Sequence, residues 1–196
     1  MDRLKKAVGT TGFHSLAVLK TPTGQYPLVR TILGEGNQKR VLITAGIHGD
    51  EPAGVETILH LIETRALEPF LEDWEITLAP CINPTGFEAG TRENHLGQDL
   101  NRLFKTAAPP LEVTTVQSLF IHPFHLDVEL HEDVDASGFY LYQKERNNPI
   151  SDLGRKVLAA VSSLVPLNPA PEIEGMPAED GLISRLSDPE EMDWWP

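Results

Sequence analysis

The run Val41-Leu42-Ile43-Thr44-Ala45-Gly46-Ile47-His48-Gly49-Asp50-Glu51 constrains this chain more than any other stretch. Its first five residues are mostly apolar and rich in β-branched side chains, the composition of a strand covered on both faces. Gly46 and Gly49 bracket the turn that follows. Pro52 fits the first turn of a helix, where its missing N–H has no intrahelical partner to lose. Strand, tight turn and helix therefore leave His48 just past a strand end and Glu51 at a helix start. An imidazole and a carboxylate at that spacing can close on one divalent ion, and zinc takes nitrogen and oxygen donors of this kind. Taken alone, His-x-x-Glu is equally the pattern of a solvated polar loop.

Beyond Glu51, residues 53–67 place Val55, Ile58, Leu59 and Ile62 at helical spacing, with Glu56, Glu63 and Arg65 off the stripe. A second apolar strand is predicted over 75–81, which makes a βαβ unit, and functional loops in such sheets lie beyond the carboxyl ends of the strands. The segment there, 82–102, has little hydrophobic periodicity and carries Asn83, Arg92, Asn94, Asp99, Asn101 and Arg102. Loops of this length inside a compact domain tend to be functional or disordered, and this run of Asn, Arg, Asn, Asp, Asn and Arg points to the first. Arg92 and Arg102 each offer a planar fork suited to a carboxylate or a developing oxyanion. The plainer reading pairs them in solvent with Glu88, Glu93 and Asp99.

Ahead of this unit, residues 15–20 and 26–33 read as hairpin-like edge strands. After it, 111–120 is a mediocre helix because Val113, Thr114, Thr115 and Val116 are β-branched. Strand character resumes over 124–131, where Leu126-Asp127-Val128-Glu129-Leu130-His131 alternates apolar and acidic and puts His131 at a strand end, the situation of His48. A further strand is predicted over 138–142. A helix is predicted over 151–165, capped by Ser151, with an apolar face of Leu153, Val157, Leu158, Val161 and Leu164. From 166 on, Pro166, Pro169, Pro171, Pro177, Pro189 and Pro196 interrupt any sheet or helix period. The expected organisation is an α/β domain over 1–165 followed by a proline-rich tail over 166–196. His14, His60, His122 and His125 read as surface or packing residues.

The 196 residues suffice for one domain with a sizeable core, and the net charge of −13 argues against a nucleic-acid partner. Cys81 is the single cysteine, which excludes an intrachain disulfide; following an apolar run, it reads as a small buried residue. No apolar run follows the basic N-terminal residues and none is long enough to span a bilayer, so no membrane partner is expected and the expected address is the cytoplasm.

Together His48, Glu51 and His131 make two imidazoles and one carboxylate, the three-ligand set of a catalytic zinc with one position open. In chain order, His48-Gly49-Asp50-Glu51, then Asn83-Pro84-Thr85-Gly86 through Gly90-Thr91-Arg92 to Asp99-Leu100-Asn101-Arg102, then Glu129-Leu130-His131 resemble the motifs of the zinc metallocarboxypeptidase superfamily, which includes the succinylglutamate desuccinylase/aspartoacylase branch. The resemblance spans roughly residues 40–135. It implies a three-layer α/β/α sandwich with a mixed central sheet and one Zn2+ on His48, Glu51 and His131. It further implies that Arg92 polarises the scissile carbonyl, and that Asn101 and Arg102 grip a substrate carboxylate. The implied substrate is a small peptide or an N-acyl amino acid, with carboxypeptidase chemistry favoured over deacylation by the Gly90-Thr91-Arg92 and Asn94 loop.

The family's general base is a glutamate on a later strand, and the sequence does not place it; a short form that uses one of the tail glutamates is one reading. Glu172, Glu174, Glu179, Glu190 and Glu191 lie in the proline-rich tail, outside any apolar strand. The chain is thus expected to lack the family's C-terminal strands, and Trp194 and Trp195 fit either a truncated continuation or a partner surface. A domain that binds metal and carboxylate without turnover is the third reading. Glu132 and Asp133 are weighed as ligands of a second metal or as carboxylates orienting a histidine, against the commoner case of solvated acids at a strand end.

Overall fold

The structure, a computed structural model, describes residues 12–145 and 150–186. They fall into two compact units, one ending at Glu132 and the other beginning at Asp133. The first is a five-stranded mixed sheet with helices on both faces. Its strands are β1 (Phe13–Thr21), β2 (Gly24–Leu33), β3 (Lys39–Ala45), β4 (Trp74–Ala79) and β5 (Leu126–Leu130), in the order β1-β2-β4-β3-β5. The β1–β2 hairpin is antiparallel, β2 runs antiparallel to β4, and β3 pairs in parallel with β4 on one side and β5 on the other.

Alternation along the central strands sorts side chains to two faces. Val41 and Ala45 of β3, with Ile76 and Leu78 of β4, meet Val55, Ile58 and Ile62 of helix α1 (Pro52–Glu63) in one core cluster. This is the apolar stripe read from the sequence, and His60 sits off it, exposed. Leu42 and Ala79 point the other way and pack with Leu119 of helix α3 (Leu111–Leu119). The β-branched Val113, Thr115 and Val116 are buried there, so packing outweighs their weak helical propensity. A short helix α2 (Pro84–Ala89) begins the long loop after β4, its cap Asn83 accepting from Gly86 N at 2.9 Å. A mixed α/β architecture with a central mixed sheet, as expected, is what this unit forms.

Edges differ from expectation by a few residues, as helix and strand ends do. His125 is a packing residue: its Nδ1 accepts from Arg40 N at 3.0 Å and its ring meets Trp74 edge-on. Burial pushes the Cys81 thiol up to about 12, which leaves it protonated and not nucleophilic at neutral pH.

In the second unit, β6 (Leu141–Glu145) pairs in parallel with β9 (Leu182–Leu186), and helix α4 (Leu153–Val161) packs on the pair. Strands β7 (Glu172–Ile173) and β8 (Met176–Pro177) form a small antiparallel pair. Three sequence expectations are corrected here. The strand expected over 138–142 is shifted to β6, because polar Gln143, Lys144 and Glu145 pair with β9 although they break the apolar pattern. The helix begins at Leu153 rather than Ser151, whose hydroxyl is held by Glu145. Of its expected apolar face Leu158 is buried, while Leu153 and Val157 are exposed. Residues 166–186, read as a tail without period, hold β7, β8 and β9. Trp194 and Trp195 lie outside the described residues, as do Glu190 and Glu191. Among the described residues no helix is long and apolar enough to cross a membrane.

Candidate metal centre

Three parallel strands end side by side. Ala45 pairs with Leu130, and Thr44 with Ala79, so the chain leaves β3, β5 and β4 at one edge of the sheet. His48 follows β3, His131 follows β5 and the long loop follows β4; their convergence is a consequence of strand register, not of nearness in sequence. Close approach of two backbones makes the packing possible: a Cβ on Gly49 would lie 2.0 Å from the Gly86 carbonyl carbon. Only glycine fits at that position.

At this edge Glu51 stands between the two histidines. Its Oε1 is 2.6 Å from His48 Nδ1 and its Oε2 is 2.7 Å from His131 Nδ1. One donor atom from each of the three residues lies within 4.8 Å of the others, a grouping that suits one metal ion. His48 and Glu51 are buried, and the His131 side chain is about one-third exposed at 33%. The far nitrogen of each ring faces another carboxylate: His48 Nε2 is 3.4 Å from Asp99 Oδ1, and His131 Nε2 is 3.3 Å from Glu129 Oε1. These are charge contacts, since neither His48 Nε2 nor Glu129 Oε1 has a hydrogen-bond partner among the described residues, and a carboxylate that closes to hydrogen-bond distance there would favour the tautomer whose other nitrogen turns its lone pair inward. The donor set and its outer carboxylates fit a divalent ion of the zinc type.

The electrostatics follow from that crowding. Burial would raise the Glu51 carboxyl, but hydrogen bonds and charge from His131 and His48 outweigh it and bring it to about 2. Burial would lower His131, yet its contacts with Glu129 and Glu51 lift it to about 10. Asp99 is likewise held below the ordinary carboxylate range, the cost of its burial being outweighed by the Arg92 guanidinium, with His48 adding to the effect.

Arg92 points into the group: its Nε donates to Asp99 Oδ2 at 3.1 Å and its Nη1 lies 3.6 Å from Glu51 Oε1. Of the three acids in the solvated reading, Asp99 is the one it pairs with. Asp99 Oδ1 also accepts from Asn101 N at 3.0 Å, capping the short 3-10 turn Leu100–Arg102. Asn101 is buried, its Oδ1 without a hydrogen-bond partner among the described residues, whereas Arg102 is exposed and forms no ion pair among them. Asn94 holds the loop from within, accepting from Leu96 N and Gln98 N and donating to the buried Glu112 at 3.2 Å.

Residues 37–164 match the family described as the succinylglutamate desuccinylase/aspartoacylase catalytic domain. The chain belongs to that family. It is 38% identical to murein peptide amidase A of Escherichia coli K12 over 81 residues, which cover 41% of this chain and 32% of that protein. Carboxypeptidase M of Mus musculus is 38% identical over 88 residues, 36% of this chain and 20% of that one. The matched region thus spans about a third or less of these relatives. Among solved structures, a proposed metallopeptidase of Shewanella denitrificans superposes with a TM-score of 0.79 at 26% identity, covering 95% of this chain and 71% of that one. A metallo-carboxypeptidase of Burkholderia cenocepacia shares the fold, with a TM-score of 0.68 at 17% identity over 98% and 53% of the two chains.

Three residues of this desuccinylase/aspartoacylase-family site carry more than the sequence reading gave them. Asp99 touches His48, Arg92 and the Asn101 turn at once; its signal was its place two residues before Asn101. Glu129 lies in β5, two residues before His131 just past the strand's end, and its Oε1 stands 3.3 Å from His131 Nε2. Glu132, weighed for a second metal or for orienting a histidine, instead has its Oε2 on Ala53 N. Asp133 accepts from Asp135 N, Ala136 N and the Tyr140 hydroxyl.

Proposed function

We propose that this protein is a zinc-dependent hydrolase of amide bonds next to a free carboxylate, of the metallocarboxypeptidase type. The observation that carries this reading is the convergence of His48, Glu51 and His131 with the Arg92 guanidinium 3.6 Å from Glu51. A zinc ion on those three residues would supply Lewis acidity at the scissile carbonyl and lower the pKa of water towards ~7.

The chain's own residues supply the rest. Arg92, aimed by Asp99, stands where negative charge develops on the carbonyl oxygen, so it stabilises the transition state more than the ground state. Arg102 offers an exposed fork for the substrate's terminal carboxylate, and the buried Asn101, whose Oδ1 has no hydrogen-bond partner among the described residues, precedes it in the chain. In a protein of net charge −13 these two arginines concentrate positive charge where a small anionic substrate needs it.

Family membership also supports a second substrate class, the N-acyl amino acids, with the same anchor for the carboxylate. The test is steady-state hydrolysis, by the full chain with zinc, of C-terminal dipeptides beside N-acetyl and N-succinyl amino acids, with His48→Ala and His131→Ala as controls. Turnover of peptides that both variants abolish supports the proposal; preference for N-acyl amino acids moves it to deacylation. A third reading, metal and carboxylate binding without turnover, is favoured by one observation. Of the carboxylates around the ligands in the first unit, Asp99 is engaged by Arg92 and Asn101, Glu129 by His131, and Glu132 by Ala53. Stoichiometric zinc with no hydrolysis of either class would establish that reading.

A further inference from the structure

We propose that Glu132 is a positioning residue for the metal centre: it caps helix α1 in place of Glu51 and so fixes the two chain segments that carry the ligands. The proposal rests on the metal-site reading above.

The first turn of a helix leaves N–H groups without intrahelical partners, and the residue at the cap position ordinarily accepts from one of them through its side chain. In α1 that residue is Glu51, and it makes no side-chain cap bond. Both its oxygens are turned to the histidines, at 2.6 Å and 2.7 Å. Pro52 has no N–H to satisfy. The next donor, Ala53 N, is taken by Glu132 Oε2 at 2.7 Å, from a residue 79 positions along the chain. Glu132 returns the contact, its own N–H donating to Glu51 Oε2 at 3.1 Å.

These two bonds close a loop of interactions between the exit of β5 and the entry of α1. The strand is tied to the helix by a carboxylate, and the helix's Glu51 is tied to the strand by an amide. Gly54 lets the two backbones meet, since a Cβ there would sit 2.9 Å from Leu130 O. His131 is the residue between Leu130 and Glu132, so its separation from Glu51 is fixed from both sides. A carboxylate at this helix end is also favoured by the helix dipole. Capping by Glu132 thus leaves Glu51 free for a ligand role that an ordinary cap residue would not have.

The test is zinc affinity of the full chain, by chelator competition, for the wild type, Glu132→Ala and Glu132→Gln, with melting temperatures of metal-free and zinc-loaded protein beside it. Glu132→Ala removes the tie to Ala53 N but keeps the backbone donor to Glu51, and is expected to weaken zinc by about tenfold, the low end for loss of a group that orients a ligand. Glu132→Gln keeps an amide oxygen that can accept from Ala53 N and is expected to bind within about threefold of wild type. If the alanine variant does not fold, Glu132→Asp, one methylene too short to reach, takes its place with the same expected loss. The proposal is overturned if the alanine variant binds zinc as the wild type does, even with a lower metal-free melting temperature, because Glu132 is then a helix cap alone. It is overturned equally if glutamine is as weak as alanine. A wild type that takes no zinc defeats the metal-site reading and this proposal together, a different result from either.

Discussion

Replacing Asp99 by alanine should separate two functions that one carboxylate serves. Asp99 contacts His48 Nε2 at 3.4 Å, Arg92 Nε at 3.1 Å and Asn101 N at 3.0 Å. The His48 contact bears on metal binding, and losing such an outer carboxylate weakens zinc about 10- to 100-fold, or ~1.4–2.7 kcal/mol. The Arg92 pair bears on turnover. Because the Arg92 and Asp99 side chains are 39% and 24% exposed, solvent screens the pair and its own contribution lies near ~1 kcal/mol. The larger effect is geometric: if Arg92 faces the carbonyl oxygen as proposed, it loses its anchor, and kcat/KM at saturating zinc should fall about 10²-fold, the low end for loss of an oxyanion donor. Zinc titration against a chelator reads the first effect, and kinetics at saturating zinc reads the second. A double-mutant cycle with Arg92→Ala decides the mechanism, since a residue acting through Arg92 adds under about 0.5 kcal/mol once Arg92 is gone. Full additivity in that cycle, or a zinc Kd unchanged in Asp99→Ala, would refute the reasoning.

In metal-free protein His131 keeps its proton up to about pH 10, so zinc must displace it and apparent affinity should improve about tenfold per unit from pH 7 to 9; a flat profile, read by chelator competition, speaks against His131 as a ligand. The same raised value contributes stability to the metal-free fold that is fully present below 6.5 and lost as pH rises through about 10, while the lowered Glu51 contributes stability lost as pH falls from 4.5 through about 2. Melting temperature of the chelated protein should therefore decline on both sides of that window. Gly49→Ala brings a Cβ to 2.0 Å from backbone at Gly86, and overpacking of this kind costs about 3 kcal/mol or more, a fall of at least ~6 °C in calorimetry. Arg102→Ala should raise KM for substrates ending in a free carboxylate and leave zinc affinity unchanged; equal effects on carboxamide-ended substrates would show that it holds no carboxylate.

What could be read from the sequence was local. The β3 run, the turn after Gly46, the α1 stripe and the residues of the 82–102 loop are encoded within windows that one element spans. So were the three candidate ligands, because each sits at an element boundary marked by its neighbours. The adjacency of β5 to β3 was not readable from periodicity, since the partner of a buried parallel strand is chosen by packing over a long stretch of chain. Strand β9 was hidden for another reason: Ser184 and Arg185 lie between apolar residues in a five-residue strand bordered by proline-rich sequence, too short and too polar for a period to show. The Glu132 cap escaped because capping signals are sought next to the helix they serve, and this one comes from beyond the end of β5.

The long loop after β4 is pinned at Asn83, Asn94 and Asp99, and the tip between two of these pins, His95, Leu96 and Gly97, is exposed, Leu96 at 65%. The backbone of that tip is itself tied down, His95 N to Thr85 Oγ1 and Leu96 N and Gly97 N to Asn94, so its length is held while the exposed His95 and Leu96 side chains are free to vary.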